Sequence, residues 1–270
     1  MSHHKEADTK AITVPDFLAA PGLKKKLSVV SLYDYPMAKL FDQAGVDAIL
    51  VGDSLGMVVR GEQDSLAVTL DEMIYHSKAV VRGTKRALVI VDMPFMSYHL
   101  GPMQALENAG RILRETGAHA VKLEGGVRVA AMIEAIVQAD IPVMGHVGLT
   151  PQSVRRLGGF RVQRNESKLL EDARAVEAAG AFSIVLECVP APQAAEVSKI
   201  LEIPTIGIGA GPHCDGQVLV AHDLLGLTDG HKPRFVRDFG NLAPAALEAG
   251  IKFVEAVRDN SYPNLDESYK

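Results

Sequence analysis

Six ionisable side chains in this 270-residue chain stand in or just after short aliphatic runs. Asp53 follows "AILVG", Asp92 closes "ALVIV", and Glu187 closes "FSIVL"; Lys122 and Glu124 sit within "AVKLEG", and His146 within "IPVMGHVG". A charge in such surroundings is costly unless it has a partner or a role. Asp53, Asp92 and Glu124 offer hard oxygen ligands. Such a set suits Mg²⁺, which takes one or two carboxylates and completes its octahedron with water and substrate. Zinc is a poorer match, because there is no Cys/His quartet and His213, Cys214 and His222 lack zinc-like spacing. Each residue also has a plainer reading. Asp53 or Asp92 alone reads as a turn or helix cap. Lys122 and Glu124, two apart on one face of a strand, read as a salt bridge. His146 reads as a hydrogen-bonded core histidine, His76 as structural, and Cys188 as packing. The set taken together points to a site.

The elements that must position these groups follow from hydrophobic pattern. β-like runs fall at 27–34, 47–53, 87–93, 120–125, 141–148, 182–189 and 205–211, with a doubtful eighth at 234–239. Most are continuous rather than alternating, as expected of strands buried on both faces of a parallel sheet. Helical stretches lie between them. Thr69 with Glu72 forms a capping box, and Gly117 and Gly180 mark helix ends. Seven or eight βα units in about 250 residues fit a (β/α)₈ barrel, with a doubly wound sheet as the alternative. In a barrel every strand C-terminus opens on one face. Five neighbouring strands then deliver Asp53, Asp92, Lys122 with Glu124, His146, and Glu187 to one rim. Gly207, Gly209 and Gly211 form a tight loop after the seventh run, read either as a phosphate site or as close packing. A dinucleotide fingerprint is missing, because Pro212 and Cys214 stand where a further glycine would be needed.

Composition narrows the classes. Hydrophobic residues make up 47% and the formal net charge is −5, enough for a core and without the basic footprint of nucleic-acid binding. No apolar run approaches a membrane span, and the N-terminus lacks the apolar stretch of a secretory signal. Two cysteines make no disulfide framework. These features predict a cytoplasmic protein with reduced thiols. Residues 1–12 are expected to be a disordered leader, 13–262 a single barrel domain, and 263–270 a polar tail.

The motifs "VGDSLGM" (51–57), "VKLEGG" (121–126), "GHVGLTPQSV" (145–154), "LECVP" (186–190) and "GIGAG…DGQVLVAHDLLG" (207–226) are long and ordered. With them the chain resembles the 3-methyl-2-oxobutanoate (ketopantoate) hydroxymethyltransferase family over about residues 13 to 262. The resemblance implies a (β/α)₈ TIM barrel of the phosphoenolpyruvate mutase/isocitrate lyase type. It also implies transfer of a hydroxymethyl group from 5,10-methylenetetrahydrofolate to 3-methyl-2-oxobutanoate, on the route to pantothenate. By position, Asp53 and Asp92 match the family's Mg²⁺ ligands and Glu124 its third metal-site acid. Asp53, Ser54 and Asp92 are placed about the substrate, Lys122 matches the substrate-binding lysine, His146 a pocket histidine, and Glu187 the proton acceptor. A homo-oligomer, a decamer, is implied as well. Phe160-Arg161 departs from the aromatic-lysine pair expected there, and the 62–69 loop differs in detail. The rival reading is a C–C lyase of the same barrel group acting on an oxo or hydroxy diacid.

Overall fold

Strands rich in Val, Ile and Leu with no polar face must be covered on both sides, and a closed parallel barrel wrapped in helices does that. The computed structural model describes residues 10–228 and 232–269. Most of the leader expected at 1–12 lies outside them. The described residues group into two compact units, divided between Val220 and Ala221.

The first unit holds eight parallel strands in a closed barrel, each hydrogen-bonded to its neighbours in chain order. They are β1 (Leu27–Ser31), β2 (Ala48–Val51), β3 (Leu88–Asp92), β4 (Ala120–Glu124), β5 (Val143–Gly148), β6 (Ser183–Glu187), β7 (Thr205–Ile208) and β8 (Gly216–Val220). Seven match the runs read from sequence. The eighth does not: β8 pairs with β1 and β7 at 216–220, whereas 234–239 is irregular chain. Its apolar part is only "VLV", and a turn-rich stretch at 209–215 separates it from β7.

The barrel interior is filled by Val29, Leu50, Ile90, Ala120, Met144, Val185, Ile206 and Val218. The helix Val14–Ala19 sends Phe17 into this core, where its ring meets Phe182 edge-on at 5.8 Å, just before β6 begins. The N-terminal end is thereby stopped with apolar packing, and chemistry is left to the C-terminal end. The outer helices start and stop where local chemistry directs. Thr69 Oγ1 accepts from the Glu72 N–H while Glu72 Oε2 accepts from the Thr69 N–H, opening Leu70–Gly83. Gly117 ends Pro102–Thr116 at φ 77°, a left-handed conformation suited to glycine.

In the second unit, the helix Leu242–Arg258 has no buried residue, and Phe253 meets Tyr262 edge-on at 5.7 Å. No helix among the described residues is long and apolar enough to cross a membrane.

Candidate functional site

Residues two apart on a strand share a face, so Ala120, Lys122 and Glu124 all point into the barrel, with the alanine lowest. Parallel register sets Asp92 of β3 beside Lys122, and Glu124 beside His146 of β5. The barrel thus changes from an apolar to an ionisable layer within a few residues. Asp53, Asp92, Lys122, Glu124 and His146 are all buried.

Asp53 is the exception to the strand-end expectation. β2 stops at Val51, and Asp53 lies in the turn that leads into the short helix Leu55–Val58. The turn packs too closely for a side chain at Gly52. A Cβ there would lie 2.7 Å from Ser31 Oγ and 2.8 Å from Ser54 Oγ. The Asp53 N–H then donates to Asp92 Oδ2 at 3.1 Å, and Lys122 Nζ donates to Asp92 Oδ1. The Lys122 ion pair is therefore with Asp92, not the Glu124 bridge that their spacing allows. Ser54 Oγ shares a 2.8 Å hydrogen bond with the Tyr33 hydroxyl.

Three buried carboxylates face one buried ammonium. Burial, then repulsion from Asp92, pushes the Asp53 carboxyl up to about 7. Burial and Asp53 raise Glu124 well above the usual carboxylate range. Burial works against the Lys122 ammonium, but Asp92, Glu124 and Asp53 outweigh it and hold its pKa above normal.

His146 joins this cluster to Glu187. Its Nδ1 lies 3.6 Å from Glu124 Oε1 and its Nε2 3.2 Å from Glu187 Oε2, although neither contact has hydrogen-bond alignment. The bonded core histidine considered from sequence is thus not what the ring is. Glu187 is less buried than the other acids, with 16% of its side chain exposed. The chain turns sharply after it, at Cys188, whose φ of 48° is unusual for a residue with a Cβ. Burial raises the Cys188 thiol to about 11, which keeps it protonated at neutral pH. His76 is structural, its Nδ1 2.8 Å from the Tyr33 carbonyl. Gly207 and Gly211 read as close packing, since added Cβ atoms would meet Cys214 Sγ at 3.0 Å and Ala191 Cβ at 2.4 Å.

Gln152 was not singled out from sequence. Its Nε2 donates to Asp53 Oδ2 at 2.9 Å and to the Met93 carbonyl at 3.0 Å, its Oε1 accepts from the Tyr98 hydroxyl at 2.6 Å, and its backbone N–H donates to Glu124 Oε2 at 3.0 Å. One uncharged residue ties two of the three acids together. Its only signal in sequence is its place in "GLTPQSV", where nothing distinguishes it from a solvated loop amide.

Among the described residues, no three His, Cys, Asp or Glu side chains form a ready-made metal cage. The donors instead form an open, oxygen-only arrangement. That is compatible with an ion taking few protein ligands and completing its shell with water and substrate.

The Ketopantoate hydroxymethyltransferase family model matches residues 11–265. The 3-methyl-2-oxobutanoate hydroxymethyltransferase of Trichlorobacter lovleyi is 54% identical over 96% of this chain and 99% of its own. That of Desulforapulum autotrophicum is 55% identical over 91% and 94%. Among solved structures, phosphonopyruvate hydrolase in complex with oxalate and Mg²⁺ aligns with a TM-score of 0.61 at 15% identity, over 95% of this chain and 93% of its own. A 2,3-dimethylmalate lyase of the PEP mutase/isocitrate lyase superfamily aligns at 0.58 and 20%, over 93% and 91%. These distant structures share the barrel.

Proposed function

The chain belongs to the ketopantoate hydroxymethyltransferase family, and on that premise we propose that it catalyses the first step of pantothenate biosynthesis. It transfers a hydroxymethyl group from 5,10-methylenetetrahydrofolate to 3-methyl-2-oxobutanoate, giving 2-dehydropantoate and tetrahydrofolate. The observation that carries this reading is the gathering of Asp53, Asp92 and Glu124 around Lys122, with Glu187 reached across His146.

The donor set fits Mg²⁺. Fully ionised, three carboxylates and one ammonium leave two negative charges in a buried space, the complement of a divalent cation. Asp53 and Asp92 would hold it, with Glu124 acting directly or through water. When bound, the cation supplies positive charge to the oxo and carboxylate oxygens of a 2-oxo acid, where negative charge develops on loss of the C3 proton. Lys122 adds a second positive charge at those oxygens, and Ser54, held by Tyr33, offers a hydroxyl to the carboxylate. Glu187 takes the C3 proton, and the side-chain exposure of this carboxylate suits a base that must meet substrate. His146 orients it. The C3 carbon then attacks the donor's methylene carbon as one of its two C–N bonds breaks. Water displaces the second nitrogen and supplies the hydroxyl oxygen, and tetrahydrofolate leaves with the two nitrogens protonated by the C3 proton and the proton lost from water.

A cysteine-dependent C–C lyase is the weaker reading, because burial keeps the Cys188 thiol protonated. The reaction is placed in the cytoplasm, where Cys188 and Cys214 stay reduced. The homo-oligomer is supported by the exposed Leu247, Ile251 and Val254 on the helix Leu242–Arg258. The deciding assay follows tetrahydrofolate release from methylenetetrahydrofolate and 3-methyl-2-oxobutanoate with and without Mg²⁺. Turnover is expected only with the metal; absence of 2-dehydropantoate under both conditions rejects the reading.

A further inference from the structure

A second cavity, about 510 Å³, opens on the same rim between the segments that follow β4 and β5 and the helix Glu166–Ala178. It contains none of the acids described above. Its size is that of a site for a drug-sized molecule. Arg128, Arg156, Lys168 and Asp172 are its charged lining.

The charges do not cancel. Asp172 Oδ2 is paired with Lys168 at 2.9 Å, and its Oδ1 accepts from the Val127 N–H at 3.0 Å, so this carboxylate is fully engaged. Arg128 Nη2 donates to a neutral partner, Ser153 Oγ, at 2.9 Å. Arg156 has no carboxylate partner among the described ion pairs. Two guanidinium groups thus line a cavity without an acid to neutralise them, and guanidinium forks match carboxylates.

The cavity is held open and held close to the reaction. A Cβ on Gly126 would lie 2.1 Å from Asp172 Cβ, so the segment after β4 packs directly against the helix. Gly148, another lining residue, is the register partner of Glu187, and a Cβ there would lie 2.4 Å from the Glu187 carbonyl. The Leu149 N–H donates to the same carbonyl at 2.8 Å. One end of the cavity therefore borders the strand end that carries the base.

We propose that this cavity holds the anionic tail of the one-carbon donor, with Arg128 and Arg156 receiving its glutamyl carboxylates. The assignment rests on the folate reading above. It adds where the donor lies, which residues select it, and that donors with longer glutamyl tails bind more tightly.

Calorimetry with tetrahydrofolate in its monoglutamate and triglutamate forms tests it, using wild type, Arg156→Glu, Arg128→Glu and the conservative Arg156→Lys. Wild type is expected to prefer the triglutamate. Each charge reversal should weaken tetrahydrofolate about tenfold or more and abolish that preference, and Arg156→Lys should recover part of it. In turnover, KM for the folate should rise while KM for the oxo acid stays within about twofold. Wild type that binds tetrahydrofolate, with both reversals binding equally well, overturns the cavity assignment and leaves the functional reading standing. Wild type that does not bind tetrahydrofolate overturns both.

Discussion

Gln152 to Met is the perturbation that best separates a site built of charges from a site built of their supports. Methionine keeps the length and volume of the side chain and removes its amide. Three hydrogen bonds disappear, at 2.9 Å to the Asp53 carboxylate, 3.0 Å to the Met93 carbonyl and 2.6 Å from the Tyr98 hydroxyl. The first has a charged acceptor and is worth roughly 1.5–3 kcal/mol when Asp53 stays ionised, the other two about 1 kcal/mol each; at pH 8 protonation of Asp53 caps the first at about 1.4 kcal/mol, so the metal-free protein should lose about 3 kcal/mol there. The loss should depend on pH. The folded pKa of Asp53 is raised from 3.8 to about 7, and the bond from Gln152 opposes that rise. Removing the bond raises it further, so the added penalty falls on the ionised form. The penalty is full only above the variant's further-raised pKa and shrinks as pH falls through 7 toward 5, where Asp53 is protonated with or without Gln152. Urea titrations at pH 5 and pH 8 measure the difference. Calorimetry of Mg²⁺ in the presence of 3-methyl-2-oxobutanoate should show about a 10–100-fold weaker metal, the usual effect of losing a group that orients a ligand. An equal stability loss at both pH values, with Mg²⁺ affinity within twofold of wild type, would refute the placement of Gln152 as the organiser of the acids.

The other outcomes follow from the same charge count. Mg²⁺ must displace the Asp53 proton, so its apparent affinity should fall by about tenfold for each pH unit below 7, and a flat profile between pH 5.5 and 7 would remove the coupling. Asp53→Asn relieves repulsion and should stabilise the metal-free protein at pH 8, whereas Asp92→Asn strips Lys122 of its partner and should cost about 3–5 kcal/mol; both should lose Mg²⁺-dependent oxo-acid binding, and an unchanged or increased stability of Asp92→Asn would overturn the pairing. Glu187→Gln should bind the oxo acid and Mg²⁺ nearly normally but lose C3 proton exchange in heavy water by about 10²–10⁴-fold, read by NMR without folate; exchange at the wild-type rate would pass the base role to another group.

The barrel was legible because continuous aliphatic runs leave few other folds, and because "LVIVD" and "SIVLE" each end on an acid where a parallel strand must open to its rim. β8 was not, since a strand with only three aliphatic residues has no period to read, and pairing with β1 and β7 supplies what its composition does not. The charged members of the site could be found one at a time, because a charge among aliphatics is conspicuous. Their pairing could not: spacing along β4 favoured a Lys122–Glu124 bridge, but register across strands gives Lys122 to Asp92. Gln152 was hidden for the opposite reason. It carries no charge, lies in the single helical turn Pro151–Ser153, and acquires its meaning only from the burial that places its amide on Asp53.

That distribution of charge also argues for transfer over cleavage. On the β2–β4 side the protein supplies three acids and one ammonium, an imbalance suited to holding a dianionic cluster about a cation and a 2-oxo acid. On the β5–β6 side the charge density is lower, and His146 and Glu187 face each other without competing cations. On the proposed reading, activation of the oxo acid and removal of its proton fall on different arcs of one rim. A lyase needs nothing more, because the carbon fragment it releases leaves. A transferase must hold a second carbon partner beside the base while the C3 carbanion exists. The cavity bordered by Gly148, the register partner of Glu187, supplies room for one on that arc. If Arg128 and Arg156 fix the donor's tail there, the reactive end approaches from the β5–β6 side, and C3 attacks it on the same arc that removes its proton.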